Sequence, residues 1–385
     1  MGPLNGYTVI ELAGIGPAPM GGMILADMGA EVIRIERPGA ADPKVAEPVS
    51  GRNKKSVVLD LKQASGHAAL MKLVEQADAL IDPYRPGVCE KLGFGPDECL
   101  RRNPRLVFAR MTGWGQTGPL AHAAGHDLNY IAITGALHAI GRRGERPVVP
   151  LNLVGDFGGG GMLMVSGILA ALLEAAKSGQ GQVVDVAMVD GTAQLMWMMQ
   201  GFQQIGAWNA EERESNLLDG AAHFYDTYEC ADGKYVAIGA IEPQFYAELL
   251  SRADVSDPQF QHQHDTAQWP ELKEKLAAIL KTKTRDEWDE LMAGSDACFA
   301  PVLTMVEAPQ YSANSERSVY TEVEGLMHPS PAPRFMRTPS EITHGTRALG
   351  ADTVSVLINS GMDETAVEAL LATGAAQAAE EKELT

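Results

Sequence analysis

The sequence predicts a mixed α/β protein built on a Rossmann-like, doubly wound parallel sheet, and two observations carry that prediction. Short apolar runs alternate with segments of helical periodicity up to residue 187, and near residue 224 the pattern changes to that of a hairpin. Strands that alternate with helices are typical of βαβ units, in which a helix returns the chain to a parallel neighbour. With 385 residues the chain is long enough for two domains or one large α/β unit, and its 45% of hydrophobic residues can fill an ordinary globular core.

The large domain is predicted to begin with a strand over residues 7–12, a helix over 20–28 and a strand over 31–36. The alternation then continues with strands over 56–61, 79–82, 106–111 and 181–187, and helices over 66–76, 127–140 and 159–177. Ser178 and Gly179 end the last of these helices, because glycine accepts the left-handed conformation that closes a helix.

The small domain opens with a hairpin, since strand patterns over 224–229 and 234–239 flank the turn sequence Ala231-Asp232-Gly233. Helical patterns follow over 243–250, 271–280, 350–358 and 364–371, and we expect the tail beyond residue 374 to fray. These changes predict the following domains: a large domain of residues 1–200 and 325–385, a linker of residues 201–220, and a small α+β domain of residues 221–324.

Charge and cysteine usage exclude several classes of function. The net charge of −19 argues against nucleic acid and anionic membranes as partners, since both require a basic surface. Four scattered cysteines form no Cys-x-x-Cys pair, so neither a disulfide framework nor a metal site is predicted. Residues 1–6 lack a leader pattern, and no unbroken run of about eighteen apolar residues occurs. We therefore expect a cytoplasmic protein without a membrane span.

Two short segments combine a proton-transfer side chain with the predicted beginning of a helix. One contains His126 and Asp127 between Gly125 and Leu128; the other runs from Asn152 through Asp156 into four glycines. Free backbone N–H groups at a helix N terminus can hold a developing anion. Together the segments predict acid/base chemistry.

Two glycine patterns suggest other ligands. Gly14-Ile15-Gly16 follows the first strand, and Glu36 closes the second, as in a dinucleotide-binding fold. Pro17 and Pro19, however, remove amide donors where a pyrophosphate would bind. The glycine run at 158–161 lacks the Gly-Lys-Ser/Thr ending of a phosphate loop, so it predicts close helix packing or close approach of a ligand.

Basic residues concentrate in the first third of the chain despite its acidic total. They predict either a site for a phosphorylated ligand or a solvated rim, and they are Arg34, Arg37, Arg52, Lys54, Lys55 and Arg85.

Six motifs, in this order along nearly the whole chain, resemble the class III coenzyme A transferase superfamily: Arg37-Pro38-Gly39, Arg52-Asn53-Lys54-Lys55-Ser56, Arg85-Pro86-Gly87-Val88, Thr112-Gly113-Trp114-Gly115-Gln116-Thr117-Gly118-Pro119, Gly179-Gln180-Gly181-Gln182-Val183-Val184-Asp185-Val186 and Ala300-Pro301-Val302. Within that superfamily the chain looks most like the α-methylacyl-CoA racemases, because His126 directly precedes Asp127 and because Asp156 and Glu242 are present.

The resemblance implies that His126 and Asp156 are two catalytic bases, that Asn152 and Glu242 line the site, and that subunits interlock as a homodimer. Asp127, which matches the nucleophile of the transferases, is interpreted here as an N-cap or orienting group. Glu242 either caps the helix that Pro243 begins or orients His126 by a hydrogen bond.

Substrate-binding candidates follow from the same resemblance. Coenzyme A would contact the six basic residues together with Gly125 and Tyr130. A methionine cluster offers an adaptable surface for an acyl chain, although ordinary core packing explains it equally well, and its members are Met188, Met196, Met198 and Met199.

The chemistry can be argued independently of the family. Inverting a carbon next to a thioester requires a base on each face, a role that His126 and Asp156 can fill. The α-proton is less acidic than imidazolium by roughly a dozen pKa units, or about 16 kcal/mol at about 1.36 kcal/mol per unit. Preorganised donors must therefore stabilise the enolate, and we expect the backbone N–H of Asp127 to be one. The helix dipole is expected to keep Asp156 ionised.

The sequence thus predicts an enzyme that interconverts (2R)- and (2S)-2-methylacyl-CoA thioesters without a metal or redox cofactor, coenzyme A being part of the substrate. Three alternatives stay open. A CoA transferase would use Asp127 as an acyl-carrying nucleophile, an oxidoreductase would use the damaged glycine motif, and a noncatalytic protein would only bind acyl-CoA.

Overall fold

The computed structural model describes residues 2–379. By its internal contacts the chain divides into two compact units. The first comprises the chain up to Thr134, Leu151–Leu195, and the segment from Ser318 onward. The second comprises Gly135–Pro150 and Met196–Arg317.

The elements up to residue 195 are, in chain order, β1 (Thr8–Leu12), α1 (Pro17–Asp27), β2 (Glu31–Glu36), α2 (Pro43–Ala46), β3 (Lys54–Leu59), α3 (Ala64–Val74), β4 (Ala79–Asp82), α4 (Val88–Lys91), α5 (Pro96–Arg102), β5 (Val107–Thr112), α6 (Asp127–Ile133), α7 (Ala136–Ala139), a π-helical segment (Leu153–Met162) that continues into α8 (Leu163–Ser178), β6 (Gln182–Ala187) and α9 (Met188–Leu195).

The later elements are α10 (Trp197–Gln204), β7 (Tyr225–Glu229), β8 (Tyr235–Gly239), α11 (Pro243–Arg252), a 3-10 turn (Pro258–Gln261), α12 (Trp269–Leu280), α13 (Arg285–Met292), β9 (Phe299–Pro301), a second 3-10 turn (Ala308–Gln310), α14 (Ser312–Glu316), β10 (Tyr320–Val323), β11 (Leu326–Pro329), α15 (Thr353–Asn359), α16 (Glu364–Ala372) and β12 (Ala376–Gln377).

A seven-stranded sheet organises the first unit, in the order β12-β3-β2-β1-β4-β5-β6. All neighbours pair in parallel except β12, which is antiparallel to β3. Ile10, in the central strand, lies opposite Ile33 on one side and Leu80 on the other. The order 3-2-1-4-5-6 is that of a doubly wound dinucleotide-type fold. The predicted fold class is therefore confirmed for this unit.

Helices cover both faces of the sheet, and successive strand residues supply the two cores. Ile10 and Leu12 pack on one face with Leu70 of α3, while Val9 packs on the other face with Ile168 of α8. This alternation follows from the two-residue period of a strand. Because both faces are covered, β1, β4 and β5 are buried along almost their whole length, whereas the edge strand β6 begins with exposed residues.

The structure corrects three predicted boundaries. The helix expected over 127–140 is broken at Gly135, whose φ of +84° is left-handed. The helix expected to begin at residue 159 begins instead at Leu153, as a π-helical segment. The tail was expected to fray beyond residue 374, yet Ala376–Gln377 pairs with β3; residues 380–385 lie outside the described part of the chain.

The second unit contains a three-stranded antiparallel sheet in the order β7-β8-β9. The hairpin of β7 and β8 occurs where the sequence predicts it, whereas β9 is an additional strand that pairs with β8 through Phe299. Its core is aromatic and includes Phe224, Tyr228, Trp269 and Trp288.

One helical stretch, Leu153–Ser178, is long and apolar enough to cross a membrane by length and composition alone. An 18-residue window within it has a mean hydropathy of 1.6, and half of that window is buried inside the protein. Helices that pack in a protein core can have the same length and composition, so these two properties do not show that the stretch spans a membrane.

Candidate functional site

A cleft of about 440 Å³ opens in the first unit at the carboxyl ends of β1, β4 and β5. In a doubly wound sheet this crevice, where the strand order reverses, is the usual place for a ligand. Its lining comes from residues 15–17, 83–86, 111–114, 121 and 123–126, and from Tyr130, Asn152, Asp156 and Met188.

His126 lies at the wall of this cleft as the N-cap residue of α6, with extended backbone angles of φ −133° and ψ 173°. Its backbone N–H donates to Oδ1 of Asn129 at 3.1 Å, and its carbonyl accepts from the backbone N–H of Asn129 at 2.8 Å. The imidazole is exposed. His126 therefore stands at a helix N terminus, where the sequence predicts it.

Asp127, the first residue of α6, is buried and connects the two predicted bases. Its Oδ2 accepts hydrogen bonds from the backbone N–H groups of Gly155 and Asp156, each at 2.7 Å. An added Cβ at Gly155 would lie only 2.8 Å from the same oxygen, so glycine permits this approach. Of its two predicted roles, N-cap or orienting group, these contacts correspond to the second.

Asp156 occupies the first turn of the π-helical segment, whose N-cap residue is Asn152. Sequence periodicity could not distinguish this wide turn from a loop, because a π-helix changes the period at which residues share a face. π-Helical turns are rare in proteins, and those that do occur are often found at functional sites.

The environment of Asp156 makes it a stronger base than a free carboxylate. Its side chain is half-buried, and burial is the main cause that raises its pKa above the ordinary value. The negative charge of Asp127 raises the pKa further, whereas a 3.2 Å hydrogen bond from Asn152 and the charge of His126 lower it. A raised pKa strengthens the base, and the ionised state expected for Asp156 stays a prediction.

Gly16 is a site residue that the sequence analysis missed. It follows β1 with a φ of +69°, and an added Cβ would lie 3.2 Å from Oδ2 of Asp156. In the sequence this glycine belongs to an incomplete dinucleotide-binding motif, which does not indicate a position next to Asp156. Its position after a strand at the predicted switch point was the signal that could have found it.

The glycine run at 158–161 is explained by close packing, one of the two interpretations left open above. An added Cβ at Gly159 would lie 2.7 Å from the backbone nitrogen of Thr192 in α9, and one at Gly160 would lie 3.0 Å from Pro17 of α1. These glycines allow the π-helical segment that contains Asp156 to pack closely against α1 and α9.

Gly125 and Tyr130, predicted to contact coenzyme A, both line the cleft. The ring of Tyr130 is nevertheless buried, and its hydroxyl donates to the carbonyl of Gly125. Burial raises the pKa of Tyr130, and the negative charge of Asp156 contributes to the increase.

The structure does not bring the six predicted basic residues together at the cleft. Four of them form ion pairs inside the first unit: Arg34 with Glu36 and Glu47, Arg52 with Asp27, Lys54 with Glu11, and Lys55 with Glu31. Arg52 and Lys54 are only 1% and 2% exposed, and charges removed from water require such partners. The candidates for a phosphate-facing role are therefore narrowed to Arg37 and Arg85, which are exposed; Arg85 lines the cleft.

The methionines and Glu242 are distributed over both units. Met188 is buried against the cleft in the first unit. Met196, Met198 and Met199 belong to the second unit and are half-buried at α10. In the second unit Glu242 is the exposed N-cap residue of α11, and its side chain makes no capping hydrogen bond there.

The environment of Glu36 argues against the dinucleotide interpretation. Its carboxylate is 2% exposed, accepts the hydroxyl of Ser56 and lies 3.4 Å from Arg34, so it is not free to bind a ribose. Within residues 2–379, no three His, Cys, Asp or Glu side chains lie together as a potential metal site.

A sequence model of CoA-transferase family III matches residues 4–353. The chain belongs to this family. Family membership confirms the predicted resemblance.

Two relatives and one solved structure are similar to the chain over most of its length. The chain is 45% identical to alpha-methylacyl-CoA racemase from Mus musculus over 364 residues, which cover 94% of each protein. It is also 45% identical to alpha-methylacyl-CoA racemase from Homo sapiens over 338 residues, which cover 88% of this chain and 87% of the human protein. The crystal structure of Rv3272 from M. tuberculosis matches with a TM-score of 0.77 at 27% identity, covering 91% of this chain and 98% of that one.

Proposed function

We propose that this protein is an α-methylacyl-CoA racemase that interconverts (2R)- and (2S)-2-methylacyl-CoA thioesters by proton transfer through an enolate. The observation that carries the proposal is that His126 and Asp156 line one cleft, joined through Asp127. Relatives of that name that share 45% of their residues over most of the chain support it.

In the proposed reaction one base removes the α-proton, and the other returns a proton to the opposite face of the same carbon. Asp156 takes the proton from one enantiomer, and a protonated His126 completes the inversion; for the other enantiomer the roles exchange. The raised pKa of Asp156 favours its part as a base. No electrons are gained or lost overall, so the reaction requires no redox cofactor, and we propose that it uses no metal.

The enolate oxygen needs hydrogen-bond donors, because neither base is strong enough by itself. The backbone N–H of Asp127 is the donor we propose. It is the first amide of α6 and, among the described residues, donates to no protein acceptor. Because this amide is adjacent to His126, we propose that it faces the thioester carbonyl, and the helix dipole would add to its effect.

The state of Asp127 favours the racemase over the transferase alternative. An acyl-carrying carboxylate must present an oxygen to the incoming thioester. Asp127 is 5% exposed, and Oδ2 already accepts two backbone N–H groups. Such bonds stabilise the anion and reduce its nucleophilicity.

We further propose that the functional form is a homodimer. No residue of α10 is buried, and its apolar side chains include Trp197, which is 70% exposed. Ile205, directly after the helix, is 76% exposed. Exposed apolar surface of this kind marks an interaction site, and a second copy is the partner that the family resemblance implies.

The deciding experiment incubates one pure enantiomer of a 2-methylacyl-CoA with the enzyme in deuterated water, without an acyl acceptor. We expect inversion accompanied by α-deuterium, and a loss of inversion of roughly 10²- to 10⁴-fold in His126→Ala and in Asp156→Ala. Acyl transfer to an added acid without α-exchange, abolished in Asp127→Ala, would instead establish a transferase.

A further inference from the structure

Tyr130 contacts both peptide groups that flank His126. Its hydroxyl donates to the carbonyl of Gly125, the residue before the histidine. Its backbone N–H donates to the carbonyl of His126 itself at 3.3 Å. Together these bonds restrain the two backbone torsion angles from which the imidazole projects into the cleft.

The surroundings of the Tyr130 ring hold it in one place. Trp114 packs edge-on against it, with ring centroids 4.7 Å apart and planes at 86°. An added Cβ at Gly113 would overlap the ring, and one at Gly125 would lie 2.7 Å from it. Two glycines and a tryptophan thus form a fitted slot for a ring that is only 6% exposed.

Asp156 is held by different groups. Asp127 accepts its backbone N–H, and Asn152 donates to its carboxylate. Neither bond involves the hydroxyl of Tyr130. The contacts that orient the two bases are therefore separable, and one can be removed while the other remains.

We propose that Tyr130 is a positioning residue for His126, and that its hydroxyl, bonded to the carbonyl of Gly125, fixes the direction of the imidazole. This inference rests on the proposed function, since it takes His126 and Asp156 as the two bases. Without the hydroxyl, the Gly125 peptide can rotate and carry the imidazole away from the reacting carbon. A displacement of about 1 Å at a reacting group can cost about 10²-fold in rate.

The equilibrium constant fixes the ratio of the racemisation rates in the two directions, so these rates do not reveal which of the two bases is displaced. Isotope exchange at the α-carbon does reveal it. When Asp156 removes the proton, inversion requires His126 to protonate the enolate. If His126 is displaced, Asp156 exchanges its proton for a deuteron from solvent and returns it to the same face. The starting enantiomer is then recovered with α-deuterium.

The test compares Tyr130→Phe with the unmodified enzyme in deuterated water, measuring α-deuterium in recovered substrate and in inverted product. The enantiomer that Asp156 deprotonates is identified as the one that still exchanges in His126→Ala. For that enantiomer we expect the ratio of exchange with retention to inversion to rise roughly 10- to 100-fold in Tyr130→Phe.

Tyr228→Phe is the matched control. Tyr228, in the second unit, is 4% exposed, and its hydroxyl donates at 2.6 Å to the carbonyl of His223, also five residues earlier. This variant loses an equivalent bond outside the cleft, so its ratio should equal that of the unmodified enzyme. The thermal stability of both variants is measured in parallel.

Three results are distinguishable. A raised ratio in Tyr130→Phe alone supports the positioning role. A fall of all rates in proportion, with the ratio unchanged, overturns it, because lost stability reduces only the amount of active enzyme. Neither exchange nor inversion in the unmodified enzyme overturns the proposed function together with the role of Tyr130.

Discussion

The carboxylate of Asp127 accepts the backbone N–H of Asp156 at 2.7 Å, so one acid positions another. Oδ2 of Asp127 accepts two backbone N–H groups, whereas the carboxylate of Asp156 lines the cleft and has a raised pKa. The same charge that stabilises the two amides also raises the pKa of Asp156.

Asp127→Asn separates these two effects. The amide oxygen can still accept the two N–H groups, but the negative charge is lost, and its removal lowers the pKa of Asp156. Asp156 then stays deprotonated to lower pH, so we expect racemisation to persist and the acid limb of its pH profile to move to lower pH. A loss of activity as large as in Asp156→Ala would contradict this and favour an acyl-carrying role for Asp127.

Hybrid enzymes test the proposed dimer. His126 lies in the first unit and Glu242 in the second. If each site combines His126 with the partner subunit's Glu242, a mixture of inactive His126→Ala and inactive Glu242→Gln subunits regains one intact site per hybrid. Random pairing makes half of the dimers hybrid and should restore about one quarter of normal activity. No recovery, despite hybrids detected by native mass spectrometry, would place both residues of a site in one subunit.

Much of this fold could be predicted because its signals are local. The strands β1 and β4 are short, mostly apolar runs, and Gly179 ends α8 in the left-handed conformation. The π-helical segment around Asp156 could not be found in this way. It depends on Gly159 meeting α9 and on Asp127 accepting two amides, contacts between residues that are distant in sequence.

The predicted basic site shows the same limit. Lys54 and Arg52 resemble phosphate ligands in the sequence, but their carboxylate partners, Glu11 and Asp27, lie 43 and 25 positions earlier. Periodicity carries no information on such pairs. The clustering of basic residues in the sequence therefore could not distinguish the buried, ion-paired Arg52 and Lys54 from the exposed Arg85.

We propose that Arg85 contacts the phosphates of coenzyme A. It is exposed at the cleft, and a charge-assisted hydrogen bond is worth about 1.5–3 kcal/mol. Arg85→Ala should raise KM for acyl-CoA roughly 10- to 150-fold with little change in kcat, and the effect should shrink at high salt. Lys72→Ala is the control, because Lys72 is a partly exposed residue of α3 that does not line the cleft. An equal rise in KM in both variants would show that the effect comes from the overall charge of the protein.

Gly191 tests the packing behind Asp156. An added Cβ would overlap the carbonyl of Gly159, so Gly191→Ala must push α9 away from the π-helical segment. We expect a loss of about 1–3 kcal/mol in the free energy of unfolding and reduced activity. Gly167→Ala is the comparison, because its Cβ would meet only side chains, that of Val184 at 3.1 Å and that of Val186 at 4.0 Å. Equal urea midpoints for the two variants would contradict the assignment.

His223 makes the stability of the second unit sensitive to pH. It is fully buried, its Nε2 lies 2.7 Å from the hydroxyl of Tyr246, and burial lowers its pKa from 6.5 to about 4. In the unfolded chain the imidazole regains the ordinary value. Between pH 6.5 and 4 the unfolded chain therefore binds a proton that the folded chain does not.

Stability should accordingly fall as the pH drops through this window, by up to about 1.4 kcal/mol per pH unit from His223 alone. His223→Gln retains a side chain that can pair with Tyr246 but cannot titrate, so its unfolding free energy should depend less on pH. Urea unfolding of both proteins at pH 7, 6 and 5, followed by tryptophan fluorescence, isolates this contribution, because every other titrating group is common to both. Parallel curves would show that the imidazole is protonated in the folded protein or remains neutral in both states.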